Sequence, residues 1–370
     1  ADGNATNIYD CNAFESCGPV RFNKDNKRVY MQTNKGSLDL IELVLMDAET
    51  GAVTKVESDP LGKVDFGNAV FSDVSDELVA TVYEEDRERF YFKDKEFERA
   101  YNDIKKKLGS DRDVSFGSST KDEMKWIVAT NSDVDPGTVW LYDRKTKNLT
   151  TLYKIREKLD RNALSPMKAV KYKSSDGLEI PAYLTIPKGS NGKNLPTVLY
   201  IHGGPWGRDY WGYHSYAQFL ANRGYAVLQP NFRASTGYGK KFLNAGNNQW
   251  GEKMQDDITW GKKYLVEQGI ADPKRVGIMG GSYGGYAALA GVAFTPDEYA
   301  ASVAIVPPSN LQTLLDSIPP YWEAIRATFY KRMGDPRTPE GLAQMKRQSP
   351  HAHADKIKTP LMVVQGANDP

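Results

Sequence analysis

Residues 275–294 read RVGIMGGSYGGYAALAGVAF, and the expected fold of the second half of the chain follows from them. An apolar strand leads into a glycine-rich turn around Ser282, and a helix of small residues follows. The turn has the form G-x-S-x-G, which places a serine on a strained bend between a strand and a helix. Gly280 and Gly284 leave room where side chains would collide with neighbouring backbone. The stretch predicts an exposed nucleophilic serine; the alternative is a glycine-rich loop with an incidental serine.

Strands and helices alternate around this turn, from about residue 165 to the end. A hairpin comes first, with its turn at Asp176-Gly177 and alternating strands on either side. Apolar strands then alternate with helical segments, a pattern typical of a parallel sheet covered by helices. The predicted strands are 197–201, 225–230, 275–279 and 360–365, and the predicted helices are 215–223, 252–268 and a segment that follows residue 285.

A second motif, His202-Gly203-Gly204-Pro205-Trp206, follows the strand TVLYI. In an α/β-hydrolase the loop after this strand donates one backbone N–H to the oxyanion hole, and the residue after the serine donates the other. We therefore expect Gly204 and Tyr283 to be the two donors, with Gly203 as the near alternative to Gly204. His202 resembles a catalytic base, but its place in the loop favours a role in holding that loop by hydrogen bonds.

Asp369 follows the last apolar strand, where the acid of a catalytic triad would emerge. The alternative is an ordinary aspartate in a loop after a strand. In this fold the triad runs Ser, then Asp or Glu, then His. All four histidines, at positions 202, 214, 351 and 353, precede Asp369, and only Pro370 follows it. We therefore expect the general base to be absent from the chain, with His351 and His353 in structural roles.

The first 160 residues predict strands and turns in divergent repeats. Thr33, Thr81 and Thr130 each end a strand-like run, and they lie 48 and 49 residues apart. A period in the forties with about four short strands per unit is typical of β-propeller blades. An irregular β-sandwich is the alternative. The charged segment 94–108 is helix-compatible and is expected to be a solvated insertion. About three blades fit, fewer than the four to eight of a closed propeller.

Composition excludes several classes of protein. With 48 Lys and Arg against 47 Asp and Glu, the net charge of +1 gives no basic field for nucleic acid. No apolar run approaches the roughly 18 residues of a membrane span, and no metal cluster, cofactor motif or phosphate-binding loop is evident. Cys11 and Cys17 are the two cysteines, either bridged or free. The first residues show no signal peptide, and the sequence assigns neither compartment nor oligomeric state.

The second half resembles the prolyl oligopeptidase family of serine peptidases, and particularly its acylaminoacyl-peptidase and dipeptidyl-peptidase-like branch. The motifs that carry the resemblance cover most of residues 165–370 in the family's order. They are HGGPWG from position 202, PNFRASTGYG from 230, WGEKMQDD from 250, GGSYGGY from 280, YWEAIRATFYKRMGDP from 321 and ADKIKTPLMVVQGANDP from 354.

The resemblance implies a propeller that restricts access to a C-terminal hydrolase. It implies that Ser282 is the nucleophile, Asp369 the acid, and Gly204 and Tyr283 the oxyanion donors. Family members carry the histidine a few tens of residues beyond the acid and have more blades. The expected organisation is thus a partial β-propeller over residues 1–160 and an α/β-hydrolase domain over 165–370 that lacks its C-terminal end, in a chain cut at both ends.

The expected activity is hydrolysis of short peptides or acylaminoacyl peptides through an acyl-enzyme on Ser282. Trp206, Tyr283 and Trp322 are candidates for an aromatic wall of the substrate site, with ordinary packing as the alternative for each. A carboxylesterase of the same fold would use the same chemistry, since the serine turn does not distinguish the two. A binding scaffold or an inactive fragment is the third interpretation, because the triad histidine is missing.

Overall fold

The computed structural model describes residues 5–369, which divide into two compact units. The first unit consists of the residues up to Leu159 together with Gly237–Lys241. The second consists of Asp160–Thr236 and of the residues from Phe242 onward. Each unit has its own hydrophobic core, and each is described separately below.

Three antiparallel sheets make up most of the first unit, and in each the strands follow one another in sequence order. The first and third sheets have four strands and the second has three. These sheets are the blades of a partial β-propeller, as the repeats predict, although the middle blade has one strand fewer than expected. The strands are β1 (Cys17–Phe22), β2 (Arg28–Thr33), β3 (Glu42–Asp47), β4 (Val53–Glu57), β5 (Phe66–Phe71), β6 (Leu78–Glu84), β7 (Glu88–Phe92), β8 (Asp113–Ser119), β9 (Lys125–Ser132), β10 (Asp135–Asp143) and β11 (Asn148–Lys154).

The charged segment between β7 and β8 forms a helix, α1 (Lys95–Leu108), but it is not merely a solvated insertion. The Asp94 carboxylate caps its first turn by accepting the N–H of Phe97 at 2.7 Å. Phe97, Ala100 and Ile104 are buried, and they pack with core residues of the neighbouring blades such as Trp126. Apolar residues spaced three and four apart place these side chains on one face of the helix. The many charged residues on the other face made this apolar face hard to recognise in the sequence.

Cys11 and Cys17 form a disulfide at the start of the first blade, with their Cα atoms 6.3 Å apart. Of the two expectations for these residues, a bridge or two free thiols, the structure shows the bridge. It closes a short loop that ends at the first residue of β1.

The pentapeptide Gly237–Lys241 is far from the rest of the first unit in sequence but is bound within it. The N–H of Asp65 donates to the carbonyl of Gly237 at 3.0 Å, and the ammonium group of Lys240 donates to the carbonyls of Asn34 and Gly36 at 2.8 and 2.6 Å. Tyr238 packs against the core cluster formed by Leu43, Val64, Phe66 and Tyr83. The segment GYGKK, which lacks the spacing of a phosphate-binding loop, therefore contributes hydrogen bonds and packing to the first unit.

One seven-stranded mixed sheet forms the centre of the second unit. The hairpin β12–β13 lies at one edge and pairs antiparallel with β15, and the remaining neighbours are parallel. Strand β17 has no counterpart among the predicted strands. The spatial order is β12-β13-β15-β14-β16-β17-β18, with β12 (Met167–Lys173), β13 (Glu179–Thr185), β14 (Leu195–Ile201), β15 (Ala226–Pro230), β16 (Ala271–Gly281), β17 (Ala301–Ile305) and β18 (Leu361–Val364).

Helices cover this sheet, and the central one is buried along nearly its whole length. That helix, α5, follows β16 directly and is built from glycine, alanine and other small residues, which let it pack closely on the strands. This architecture is an α/β-hydrolase fold. In chain order the helices after α1 are α2 (Ser215–Ala221), α3 (Lys240–Asn244), which begins within the pentapeptide of the first unit, α4 (Lys253–Glu267), α5 (Tyr283–Phe294), α6 (Leu311–Asp316), α7 (Glu323–Met333) and α8 (Pro339–Gln348).

Over residues 5–369, no helix combines the length and the apolar character required to cross a membrane.

Candidate active site

Ser282 lies at the junction of β16 and α5, on the sharp turn that the motif predicts. Its backbone has φ 57° and ψ −119°, a conformation that is costly for a residue with a side chain. The N–H of Ser282 donates to the carbonyl of Ile305 at 2.9 Å, and the carbonyl of Ser282 accepts the N–H of Tyr286 at 2.9 Å. The strained turn is thus held on both sides, and the serine side chain is exposed.

The glycines around Ser282 are required by close backbone contacts. A Cβ atom on Gly284 would lie 1.9 Å from the carbonyl oxygen of Ile201, and one on Gly280 would lie 2.5 Å from the same atom. A Cβ atom on Gly285 would lie 2.6 Å from the carbonyl oxygen of Ile305. No side chain fits at these distances, so the turn can approach β14 and β17 this closely only with glycine.

The loop His202-Gly203-Gly204 runs directly beside the serine. A Cβ atom on Gly203 would lie 3.5 Å from the Cβ atom of Ser282 and 3.2 Å from the carbonyl oxygen of Gly281. Gly204 has φ +124°, which favours glycine. Tyr283 is the first residue of α5, where backbone N–H groups have no acceptor within the helix. Of the residues considered as oxyanion donors, Tyr283 follows Ser282 directly and Gly203 lies against it, with Gly204 next in the loop.

The side chain of His202 is buried, and each of its two ring nitrogens has a hydrogen-bond partner. Its Nδ1 lies 2.8 Å from the carbonyl oxygen of Gly203, and its Nε2 lies 2.9 Å from the hydroxyl of Ser235. The ring stacks on Phe232 with 4.4 Å between centroids. Burial lowers the pKa of His202, so its imidazole is neutral near pH 7. These contacts agree with a role in holding the loop.

Arg233, which lies between Phe232 and Ser235 in the sequence, is the centre of an ion-pair network. The Arg233 guanidinium binds the Asp257 carboxylate, with an Nη2–Oδ1 distance of 2.8 Å, and Asp176, with an Nη1–Oδ2 distance of 2.8 Å. The side chain of Asp257 is fully buried. Burial raises the pKa of Asp257, whereas the guanidinium acts in the opposite direction. Arg233 also lowers the pKa of Asp176 to about 2. The network connects the β12–β13 hairpin, the segment after β15 and α4.

Asp369 follows β18 at the same edge of the sheet as Ser282. It is exposed, and its Oδ2 accepts a hydrogen bond from Nε2 of Gln365 at 3.0 Å. Strand β17 lies between the strands that end at Gly281 and Val364. With neighbouring strands about 4.8 Å apart, the ends of β16 and β18 are separated by roughly 10 Å. This separation leaves room for another side chain between Ser282 and Asp369.

The remaining histidines have their own partners. His214 caps α2 by accepting the N–H of Ala217 through Nδ1 at 3.3 Å. His353 contacts the carbonyl of Arg347 through Nε2 at 3.0 Å and packs edge-on against Phe294. His351 lines a cavity described below. Over residues 5–369, no hydrogen bond joins the hydroxyl of Ser282 to an imidazole.

Aromatic side chains from α7, from the short turn before it and from the loop after β14 form one cluster. Phe329 contacts Trp206 edge-on at 5.2 Å between centroids and stacks on Trp322 at 6.2 Å. The structure thus brings together two of the predicted wall residues through Phe329, which the sequence interpretation did not single out. The third, Tyr283, is a correction. Its ring is 1% exposed and packs on Trp250 in the core, so it is not part of a wall of the substrate site.

A cavity of about 640 Å³ opens near the ends of β17 and β18. Pro307, His351 and Gln365 are among its lining residues. Pro307 also lies against the serine turn, since a Cβ atom on Gly285 would be 3.1 Å from its Cβ atom. Gln365 in turn binds Asp369. The cavity therefore lies beside both the nucleophile turn and the predicted acid.

Comparison with known proteins agrees with this geometry. Residues 211–370 match the model of the prolyl oligopeptidase family, designated Peptidase_S9. Residues 211–370 belong to the prolyl oligopeptidase family. The matched region contains the serine turn and Asp369, whereas the glycine loop after β14 precedes it.

Two curated relatives share substantial sequence with this family member. Dipeptidyl aminopeptidase BIII of Pseudoxanthomonas mexicana is 48% identical over 265 residues, which cover 70% of this chain and 38% of that protein. Dipeptidyl peptidase family member 6 of Caenorhabditis elegans is 34% identical, over 95% of this chain and 50% of that protein. The chain spans half or less of the length of these two relatives.

Two solved structures have a similar fold. A puromycin-hydrolyzing peptidase of Mycobacterium tuberculosis aligns with a TM-score of 0.75 and 22% identity, over 96% of this chain and 54% of that one. An acylaminoacyl peptidase of Pyrococcus horikoshii aligns with a TM-score of 0.67 and 20% identity, over 92% and 52%. At this level of identity the likeness concerns the fold alone.

Proposed function

We propose that this chain carries the nucleophile and oxyanion site of a serine peptidase that hydrolyses short peptides or acylaminoacyl peptides. The observation that supports this most directly is the strained turn at Ser282 with the Gly203–Gly204 loop beside it. An exposed serine hydroxyl on such a turn attacks a carbonyl carbon to form an acyl-enzyme, which water then hydrolyses.

The backbone N–H groups of Gly204 and Tyr283 stabilise the oxyanion that develops during this attack. Such donors act in a fixed orientation, and losing one costs roughly 10²–10³ in rate. The N–H of Tyr283 lies at the positive end of the α5 dipole, which favours negative charge at this position. Glycine at 203 and 204 allows the carbonyl group of the substrate to approach the loop backbone closely.

Asp369 is the proposed acid, which orients the imidazole that removes the proton from Ser282. The gap of roughly 10 Å between the ends of β16 and β18 suits an imidazole between nucleophile and acid. None of the described histidine contacts supplies that imidazole. Attack by Ser282 is therefore expected to be slow in this chain and to respond to imidazole added in solution.

The proposed substrate site has an aromatic wall of Trp206 and Trp322, joined by Phe329. Flat apolar surfaces of this kind suit the side chain of a peptide residue next to the scissile bond. The two curated relatives named for dipeptidyl substrates support a peptide rather than a simple ester. In this proposal residues 1–160 form the propeller part and residues 165–370 the catalytic part.

A fluorophosphonate probe tests this proposal, because it modifies only an activated serine. We expect slow labelling of the chain at Ser282, located by mass spectrometry of the modified peptide, and none in Ser282→Ala. Added imidazole is expected to accelerate the labelling. Ser302→Ala is the matched control, since Ser302 is a buried serine on β17 that donates to the carbonyl of Ala288 at 3.0 Å. Equal labelling of the wild type and Ser282→Ala contradicts the proposed nucleophile.

Further measurements distinguish the alternatives. Loss of labelling in His351→Ala would identify His351 as the base. Turnover of a dipeptidyl or acylaminoacyl anilide supports a peptidase, whereas turnover of an acyl ester with no anilide cleavage supports the carboxylesterase. If imidazole does not accelerate labelling and no substrate is cleaved, the binding scaffold is favoured.

A further inference from the structure

We propose that Ser235 is a positioning residue that holds the imidazole of His202 in one tautomer and thereby aims the N–H of Gly204 at the oxyanion. The inference rests on the proposed function, because it deepens the account of the same oxyanion site. Ser235 lies after β15 and is fully buried, and its hydroxyl contacts Nε2 of His202.

The tautomer of His202 follows from its two partners. The carbonyl oxygen of Gly203 only accepts hydrogen bonds, so Nδ1, 2.8 Å away, must carry the proton. A neutral imidazole then has a lone pair on Nε2, which must accept a hydrogen bond. The Ser235 hydroxyl, 2.9 Å from Nε2, donates that bond. Without this donor Nε2 would be buried without a hydrogen-bond partner, and the ring would lose one of the two hydrogen bonds that fix its orientation.

The orientation of the ring fixes a peptide plane. The carbonyl of Gly203 and the N–H of Gly204 belong to the same planar trans peptide, where they point in opposite directions. When His202 holds this carbonyl on the buried side, the N–H of Gly204 must face the exposed side of the loop. His202 is 7% exposed whereas Gly204 is exposed, in keeping with this arrangement. The orientation of this peptide therefore favours the N–H of Gly204, rather than that of Gly203, as the donor to the oxyanion.

Contacts of the residues around Ser235 also hold His202 and its loop in place. Phe232 stacks on the His202 ring, and its ring centroid lies 5.1 Å from that of Tyr283. One side chain therefore contacts both His202, which holds the loop of Gly204, and Tyr283, the second predicted donor. The N–H of Thr236 donates to the carbonyl of Gly207 at 3.0 Å, which binds the far end of the same loop. The segment 232–236 therefore supports the oxyanion loop at both ends.

Nitrogen NMR of the chain labelled with ¹⁵N-histidine tests the tautomer, and the chain has only four histidines to assign. The His202 signal is identified by its loss in His202→Gln. We expect the Nδ1–H tautomer in the wild type and in Ser235→Thr, which keeps the hydroxyl. In Ser235→Ala we expect a mixed or altered imidazole signal and a shifted Gly204 amide resonance. Ser302→Ala is the control and should change neither. A wild-type Nε2–H tautomer, or an unchanged spectrum in Ser235→Ala, overturns the proposal.

The rate of fluorophosphonate labelling then tests the consequence for the site. Ser235→Ala is expected to react at least about 10-fold more slowly than the wild type, with Ser235→Thr largely restored. An altered tautomer with an unchanged rate overturns the positioning role. If the wild type and Ser282→Ala react alike, the proposed function fails by itself. The imidazole and Gly204 signals still decide in that case whether Ser235 holds the loop.

Discussion

Replacing Arg233 with methionine should destabilise the second unit strongly. The substitution leaves the Asp257 carboxylate, which is fully buried, with the hydroxyl of Ser174 and the N–H of residue 233 as its remaining described donors. Breaking a buried ion pair from one side costs about 3–5 kcal/mol. At roughly 2–4 °C per kcal/mol for a unit of this size, Tm should fall by roughly 6–20 °C. The loss arises because an unpaired charge remains in the interior.

Thermal unfolding monitored by tryptophan fluorescence measures this effect, since five of the seven tryptophans lie in the second unit. Arg275→Met is the matched control. Arg275 pairs with Asp272 at 2.7 Å, but its side chain is 52% exposed, so its loss should cost under about 1 kcal/mol. The double variant Arg233→Met/Asp257→Leu should recover part of the stability, because neither charge is then left alone. Equal Tm values for Arg233→Met and Arg275→Met would refute the reasoning.

Three further predictions concern the serine turn, the disulfide and the buried histidines. Gly284→Ala should abolish phosphonate labelling of Ser282, because its Cβ atom would lie 1.9 Å from the carbonyl oxygen of Ile201; labelling at the wild-type rate would contradict the close contact. Cys11→Ser/Cys17→Ser should lose about 2 kcal/mol in chemical unfolding of the first unit, and a reductant should destabilise the wild type but not this variant. Burial lowers the pKa values of His202 and His214 from the ordinary 6.5, so unfolding binds protons and stability should fall as the pH drops below about 6.5. His202→Gln should reduce the slope of urea midpoint against pH, and an unchanged slope would exclude His202 as a contributor.

Local patterns were sufficient to predict the elements around Ser282. The strand before it, the helix after it and the glycine at each close contact are all adjacent in sequence, so the motif contains nearly the whole turn. The same holds for the loop after β14. Strand β17, with the sequence ASVAI, was not predicted, because five residues are too few to show a periodicity that separates a strand from a helix.

Contacts between distant segments could not be predicted in the same way. Ser235 and Phe232 support His202 from 33 and 30 positions away, and no periodicity marks such a pairing. Phe329 was present in a recognised motif, yet only the fold shows that it joins Trp206 to Trp322. For α1 the signal was available, since Phe97, Ala100 and Ile104 have helical spacing. The numerous charges outweighed it and led to the incorrect expectation of a solvated insertion.

The pentapeptide Gly237–Lys241 limits how this gene can be divided. A cut near residue 160 appears natural in the sequence, but a fragment that begins there carries Tyr238 and Lys240 away from Leu43, Asn34 and their neighbours. The fragment that ends there leaves Asp65 without the Gly237 carbonyl that accepts its N–H. Chimaeras that exchange one half between relatives therefore also exchange five residues that the other half must accommodate. Successful crossovers should keep residues 237–241 matched to the parent that supplies the first unit.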